Sequence, residues 1–289
     1  MSLSSVVQER LNGRMHLASL PRVAQRVKDC MENGESNLGD IGSLISLDPP
    51  LTARLLRSVN SALYGLSTEV FEPEHAASIL GMRGLRNLIL RAPVMPAEQI
   101  AELKGSDFDA VGLWRESIAI SRLSVQLGKA LPVPCDAERI EICGLLANLG
   151  RFSLCQALGE EYAEVCQLAD TQGRSLVEAE QEAFGFAHTE LGAMLASRWS
   201  LPEDVIKATR FHHNEKSLAE VDPFPALLMA ADQVQEVLTS SRAVDRCFPE
   251  LARRLPERTW KLLGLDRLDD SRQKELAVEL LETLDSIKV

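Results

Sequence analysis

A chain of 289 residues with 45% hydrophobic and 25% charged side chains has ordinary globular composition, which excludes disordered, collagen-like and low-complexity classes. The formal net charge is −11, and the first 105 residues balance 11 basic against 11 acidic side chains, so the whole acidic excess falls after residue 105. That distribution argues against nucleic-acid binding, because phosphate recognition needs clustered Lys and Arg.

At this length the chain forms either one large core or two packed lobes. Apolar runs such as Ile142 to Leu146 fall far short of the roughly 20 residues of a membrane span, and the N-terminus has no apolar signal core. A cytoplasmic protein without a membrane partner is expected. Cys30, Cys135, Cys143, Cys155, Cys166 and Cys247 include no C-x-x-C pair, and they read as reduced core residues rather than a disulfide framework or zinc ribbon.

In chain order, the hydrophobic spacing is helical almost everywhere, beginning with Val23, Val27, Cys30 and Met31 and continuing with Ile41, Leu44 and Ile45. Asn37 with Asp40 resembles a capping box, and Asp48 before Pro49 reads as an N-cap followed by proline at the first helical position. Ser106 with Asp109, and Ser200 with Glu203, repeat the cap pattern. Leu51, Leu55, Leu56, Val59 and Leu63 form one apolar stripe; Asn60 and Ser61 interrupt its polar flank, and Gly65 is expected as the C-cap. The Gly-Met-Arg-Gly run at 81–84 reads as a turn. Loops are expected where Pro, Gly and short polar residues cluster, at 32–39, 93–96, 131–136, 171–174 and 222–225. Strand-like alternation is absent, so the chain is expected to be all-α. Its weakest seam lies between 93 and 108, dividing an N-terminal helical lobe, 1–105, from a second helical lobe, 106–289.

Few residues offer chemistry. Three of the five histidines, His188, His212 and His213, lie close in sequence, and Asp232 follows 19 residues after His213. Imidazole with carboxylate is a ligand set for zinc, iron or manganese, and satisfied structural histidines are the competing reading. Adjacent helical residues diverge by roughly 100°, so His212 and His213 can share an ion only at a helix end. Arg83, Arg86 and Arg91 share a helix side and form either a basic stripe or a solvated face. No glycine-rich phosphate loop, nucleophile elbow or His-Glu-x-x-His run occurs.

Leu20-Pro21, Asp48 to Gly65 and Ala77 to Gly81 with Leu85-Arg86 together resemble the N-terminal lobe of the HDOD domain, an output domain related to the HD metal-dependent phosphohydrolases. Trp114-Arg115-Glu116-Ser117 is similar to that family's Trp-Arg-His-Ser helix. Gly144 to Arg151 stands where catalytic relatives carry Gly-Leu-Leu-His-Asp-Ile-Gly-Lys. His188 to Gly192, Trp199 to Glu203, Phe211-His212-His213 and Ala231-Asp232 continue the order, and the resemblance covers about Leu17 to Val237. It implies a two-lobe helical architecture with an HD-like core in the second lobe.

The departures carry the functional expectation. Ala147 and Asn148 replace the metal-anchoring His-Asp pair, Glu116 replaces a ligand histidine, and Asn214 to Ser217 stands where the cyclic-di-GMP phosphodiesterases have a Gly-Tyr-Pro loop. Alanine cannot ligate, and asparagine supplies only a neutral oxygen. The resemblance thus implies a non-enzymatic bacterial regulatory module with no cofactor, no bound metal and no catalytic residue. Its partners are expected to be other signalling proteins, such as a receiver, a histidine kinase or a cyclic-dinucleotide enzyme. Glu116, Asn148, His188, His212, His213 and Asp232 form a vestigial pocket in this reading, with Glu116 expected to bond an imidazole. Tyr64, Arg83 and Arg86 are candidates for a docking face, Tyr64 being equally consistent with burial in its own lobe. The alternatives are a divergent single-metal phosphohydrolase and a nucleotide-sensing protein, each using the same pocket.

Overall fold

The computed structural model describes residues 21–33, 37–90, 92, 110–213 and 223–287. Every regular element among them is helical. The first four helices are α1 (Pro21–Asn33), α2 (Leu38–Ile45), α3 (Pro49–Val59) and α4 (Pro73–Leu90), followed by α5 (Ala110–Ala130), α6 (Ala137–Leu146), α7 (Leu149–Leu158) and α8 (Glu160–Gln172). Next come α9 (Leu176–Phe184), α10 (His188–Arg198), α11 (Glu203–Phe211) and α12 (Pro223–Ser241). The chain then forms α13 (Val244–Arg254), α14 (Glu257–Leu262), a 3₁₀ turn (Leu265–Arg267) and α15 (Asp270–Asp285).

Several starts follow from the local sequence. Asn37 and Asp40 close a reciprocal capping box, and Asp48 accepts the Leu51 N–H with Pro49 at the first helical position. Other boundaries differ from the sequence reading. Asn60, not Gly65, caps α3, because its side-chain amide pairs both ways with the backbone of Val70 at 2.8 Å and so ends the helix five residues earlier. The 81–84 run is a kink inside α4 rather than a separate turn: Gly81, at φ 69° and ψ 167°, breaks the helix and the chain resumes it at once. Pro202, not Ser200, precedes α11, since Ser200 turns to φ 51° after α10. The proline at 225 lies inside the first turn of α12 rather than in a loop. The expected cap at Ser106 and the seam between 93 and 108 lie outside the described residues.

One continuous apolar cluster fills the interior, built mainly from Leu, Ile, Val and Ala. None of the six cysteines forms a disulfide, and Cys143, Cys155 and Cys247 are buried. Helix α5 packs on α6, α12 and α15, while α10 packs on α7 and α11. Trp114 of α5 joins the early helices to the rest: its Nε1 donates to Asp48 Oδ2 at 3.2 Å, and its ring meets Phe152 of α7 edge-on at 4.5 Å. Thus the cap that starts α3 also positions α5, the helix that carries Glu116.

A close helix approach sets the site. A Cβ on Gly150 would overlap the His188 carbonyl and lie 2.9 Å from the Gly192 nitrogen. Only hydrogen at both positions lets α7 meet α10 backbone to backbone, and this brings the Asn148 end of α7 next to the N-terminus of α10.

Candidate functional site

The six residues singled out from sequence fall into two groups that meet at Asp232. In the first group, α5 and the α6–α7 junction place Asn148 Nδ2 3.0 Å from Glu116 Oε1, and the same oxygen accepts from the guanidinium of Arg151. Arg151 and Glu116 side chains are only 15% and 20% exposed. Burial works against charge on Arg151, but Glu116 and the surrounding acidic and polar groups outweigh it and keep the guanidinium firmly protonated. Ala147 is fully buried and contributes a methyl group.

In the second group, His188 opens α10, while His212 and His213 follow the last residue of α11. The pair therefore sits at a helix end, as sharing an ion demands. Ring centroids are 5.5 Å apart for His188 and His212, 5.2 Å for His188 and His213, and 4.3 Å for His212 and His213. One ligand atom from each of the three lies within 4.8 Å of the others.

The hydrogen bonds fix the ring orientations. His188 Nδ1 lies 2.7 Å from Glu180 Oε2, and Glu180 also accepts from the His188 backbone N–H and from the Tyr162 hydroxyl. His212 Nδ1 lies 3.0 Å from the carbonyl oxygens of Ala208 and Thr209, so it must carry the proton. In both rings Nδ1 is taken by these groups and Nε2 is left to the site. Among the described residues, those two nitrogens and Asn148 Oδ1 are buried without a hydrogen-bond partner.

Electrostatics disfavour the charged forms of His212 and His213. Burial, then the neighbouring His188, pushes His212 down to about 3, and burial with His212, His188 and Arg151 holds His213 well below its ordinary value. Asp232 Oδ2 lies 3.8 Å from His213 Nδ1, beyond hydrogen-bond reach. Burial and the Glu116 carboxylate push Asp232 up to about 7. Glu180 moves the other way, because its contacts with His188 and Tyr162 outweigh the cost of burial.

One expectation is corrected here. Glu116 bonds Asn148 and Arg151 rather than an imidazole, because Glu180 already occupies His188 from the opposite side. The sequence reading also missed Glu180, one of two buried positions of α9, together with Tyr162. Their separations from His188, eight and 26 residues, follow no local pattern. A charged residue on the otherwise apolar face of a short helix was the available signal.

The residues present fit one ion held by three imidazoles. Two orphaned Nε2 atoms, each on a ring held from behind by an acceptor, form the arrangement that orients a metal ligand. A bound divalent ion there would supply Lewis-acid activation of a water or phosphoryl oxygen. The residues do not fit a two-ion centre, since Ala147 offers no ligand and Glu116 is committed to Asn148 and Arg151.

The HDOD domain family matches residues 17–215, more than half of the chain. The chain belongs to the HDOD family. An uncharacterized protein of Treponema pallidum (strain Nichols) is 30% identical over 212 residues, 73% of this chain and 40% of that one; the HDOD chain thus spans about two fifths of that relative. Among solved structures, the MmoQ response regulator of Methylococcus capsulatus aligns at TM-score 0.65 and 24% identity, covering 86% of this chain and 98% of that one. A virulence factor of Campylobacter jejuni aligns at TM-score 0.68 and 17% identity, covering 99% of both chains. These structural likenesses establish the shared helical fold.

The three candidate docking residues are on the surface. Tyr64 is 36% exposed beside Leu63 at 89% and Leu66 at 40%, and Arg83 and Arg86 are exposed along α4.

Proposed function

We propose that this HDOD protein is a non-catalytic module of bacterial signalling that acts by binding another signalling protein. One observation carries the reading: where a two-ion centre needs anchoring ligands, the chain has the buried methyl of Ala147 and a Glu116 carboxylate bonded to Asn148 and Arg151. Without the second ion, the clamp that stabilises both attacking and leaving oxygens in phosphoryl transfer is absent. The name of the Methylococcus relative, a response regulator, is in keeping with a signalling role. The exposed Leu63, Tyr64 and Leu66 loop, with Arg83 and Arg86 on α4, supplies the apolar, aromatic and arginine side chains that protein interfaces favour. In this reading the module works without a cofactor, and its partner is a receiver, a histidine kinase or a cyclic-dinucleotide enzyme.

The test is turnover of cyclic-di-GMP and simple phosphate esters with manganese or iron(II) added, beside capture of one of those partner classes from native extract. The expected result is no turnover, with capture lost on Tyr64→Asp. Metal-dependent turnover abolished by Asp232→Ala overturns the proposal.

A second reading is favoured by the orphaned Nε2 atoms of His188 and His212: a single ion on His188, His212 and His213. Metal content after purification without added ions separates the two. About one equivalent per chain, lost in the His212→Ala/His213→Ala variant, selects this reading.

A further inference from the structure

The C-terminal helix α15 lies beyond the part of the chain that matches the HDOD family, yet it completes a cleft of about 590 Å³ together with α5 and α12. Each helix turns one face to it. Helix α5 contributes Arg115 and Glu116, α12 contributes Gln235 and Thr239, the turn that follows α12 contributes Arg242, and α15 contributes Leu281, Leu284 and Asp285, with Arg151 also lining the cleft. The volume is that of a small-molecule site.

Its charge is the reverse of the chain's. Three guanidiniums face two carboxylates in a protein of net charge −11, and the Cys166 thiol that also lines the cleft is pushed up by burial to about 11 and adds no charge. Arg115 is exposed and has no ion-pair partner among the described residues. The Nε of Arg151 is buried without an acceptor. Arg242 is held by Asp285 through two bonds of 2.9 and 2.7 Å, in a pair whose side chains are 61% and 51% exposed; such surface pairs are readily exchanged for another anion. Leu281 and Leu284, both partly exposed, line the same cleft and supply apolar surface.

We propose that this cleft binds an amphipathic organic anion, its single negative head on Arg115 and Arg242 and its apolar body along Leu281 and Leu284. A guanidinium fork recognises either a carboxylate or a phosphate monoester, and the shared requirement is one anionic end and one apolar end. The proposal does not depend on whether the histidine cluster holds an ion, and it gives α15 a role as the third wall of a ligand site.

The experiment titrates the full chain with 8-anilinonaphthalene-1-sulfonate, an amphipathic anion, and then competes it with decanoate, decyl phosphate and decyltrimethylammonium. Saturable binding near one probe per chain is expected, displaced by one or both decyl anions and not by the ammonium at equal concentration. Which anion displaces better identifies the head group. Arg115→Gln and Arg242→Gln, both at exposed side chains, are expected to weaken binding about tenfold while melting as the parent does, and Leu284→Asp to abolish it. Non-saturable binding, equal displacement by the cation, or unchanged affinity in both arginine variants overturns the proposal.

Discussion

The imidazole of His188 and the carboxylate of Glu180 meet at 2.7 Å with neither side chain exposed to solvent. Glu180 also accepts the backbone N–H of His188 at 2.8 Å, so one carboxylate both caps the start of α10 and sets the ring. A negative charge at a helix N-terminus is favoured by the helix dipole as well. The second carboxylate oxygen takes the Tyr162 hydroxyl at 2.8 Å, which ties α8, α9 and α10 through one side chain.

Removing one partner of such a buried pair strands the other, so Glu180→Ala is expected to cost about 3–5 kcal/mol in urea unfolding. Tyr162→Phe removes one neutral donor to the carboxylate and is expected to cost about 1–2 kcal/mol. A Glu180→Ala loss below that of Tyr162→Phe would count against the carboxylate as the centre of this network.

Acid should weaken the fold through His212. Its folded pKa is lowered to about 3 while the unfolded side chain titrates near the ordinary histidine value. The unfolded state therefore binds more protons between those limits, and the stability this group supports is complete above the upper limit and lost as pH falls toward the lower one. Glu180, also lowered, adds loss of the same sign at still more acidic pH. Asp232, raised to about 7, acts oppositely, favouring the fold below the ordinary aspartate value and losing that contribution as pH rises through about 7. Urea melts of the parent and His212→Gln at several pH values isolate the first effect. The parent is expected to lose stability relative to the variant as pH falls below about 6.5, at up to about 1.4 kcal/mol per pH unit; a constant difference would refute it.

Two glycine substitutions should separate crowding from backbone strain. Gly150→Ala drives a methyl into the His188 carbonyl and the Gly192 backbone, neither of which is a flexible side-chain end, and a loss of about 3 kcal/mol or more is expected. Gly81→Ala meets nothing within 4 Å but must hold φ 69°, and about 1–2 kcal/mol is expected. Thermal melting of the pair checks the order.

Asp48 has two separate tasks. Its Oδ1 accepts the Leu51 N–H at 2.8 Å and its Oδ2 accepts the Trp114 indole at 3.2 Å. Asp48→Ala is expected to cost about 2–3 kcal/mol, the sum of a lost cap and a stranded buried donor. Asp48→Asn keeps one acceptor oxygen and sets its NH2, a donor, against the other N–H, so one of the two bonds is lost and an intermediate loss is expected. Urea unfolding followed by tryptophan emission reads both.

The sequence by itself determined the helical class, because apolar spacings such as Val23, Val27 and Met31, and caps at Asn37 and Asp48, are local signals that need no distant partner. It also determined that Ala147 and Asn148 cannot anchor a metal as a His-Asp pair does, since that follows from the side chains alone. Element ends were less legible where the deciding bond was distant: Asn60 ends α3 by pairing with Val70, ten residues on. Only the tertiary structure decided that His188 answers to Glu180 and Glu116 to Arg151, because those choices depend on which helix faces meet once Gly150 lets α7 approach α10. Burial then lowered the pKa of His212 and His213 and left the Nε2 atoms of His188 and His212 without a partner. The physical reason is the same in each case: hydrogen-bond competition and desolvation are properties of a packed neighbourhood, and no stretch of sequence contains its own neighbours.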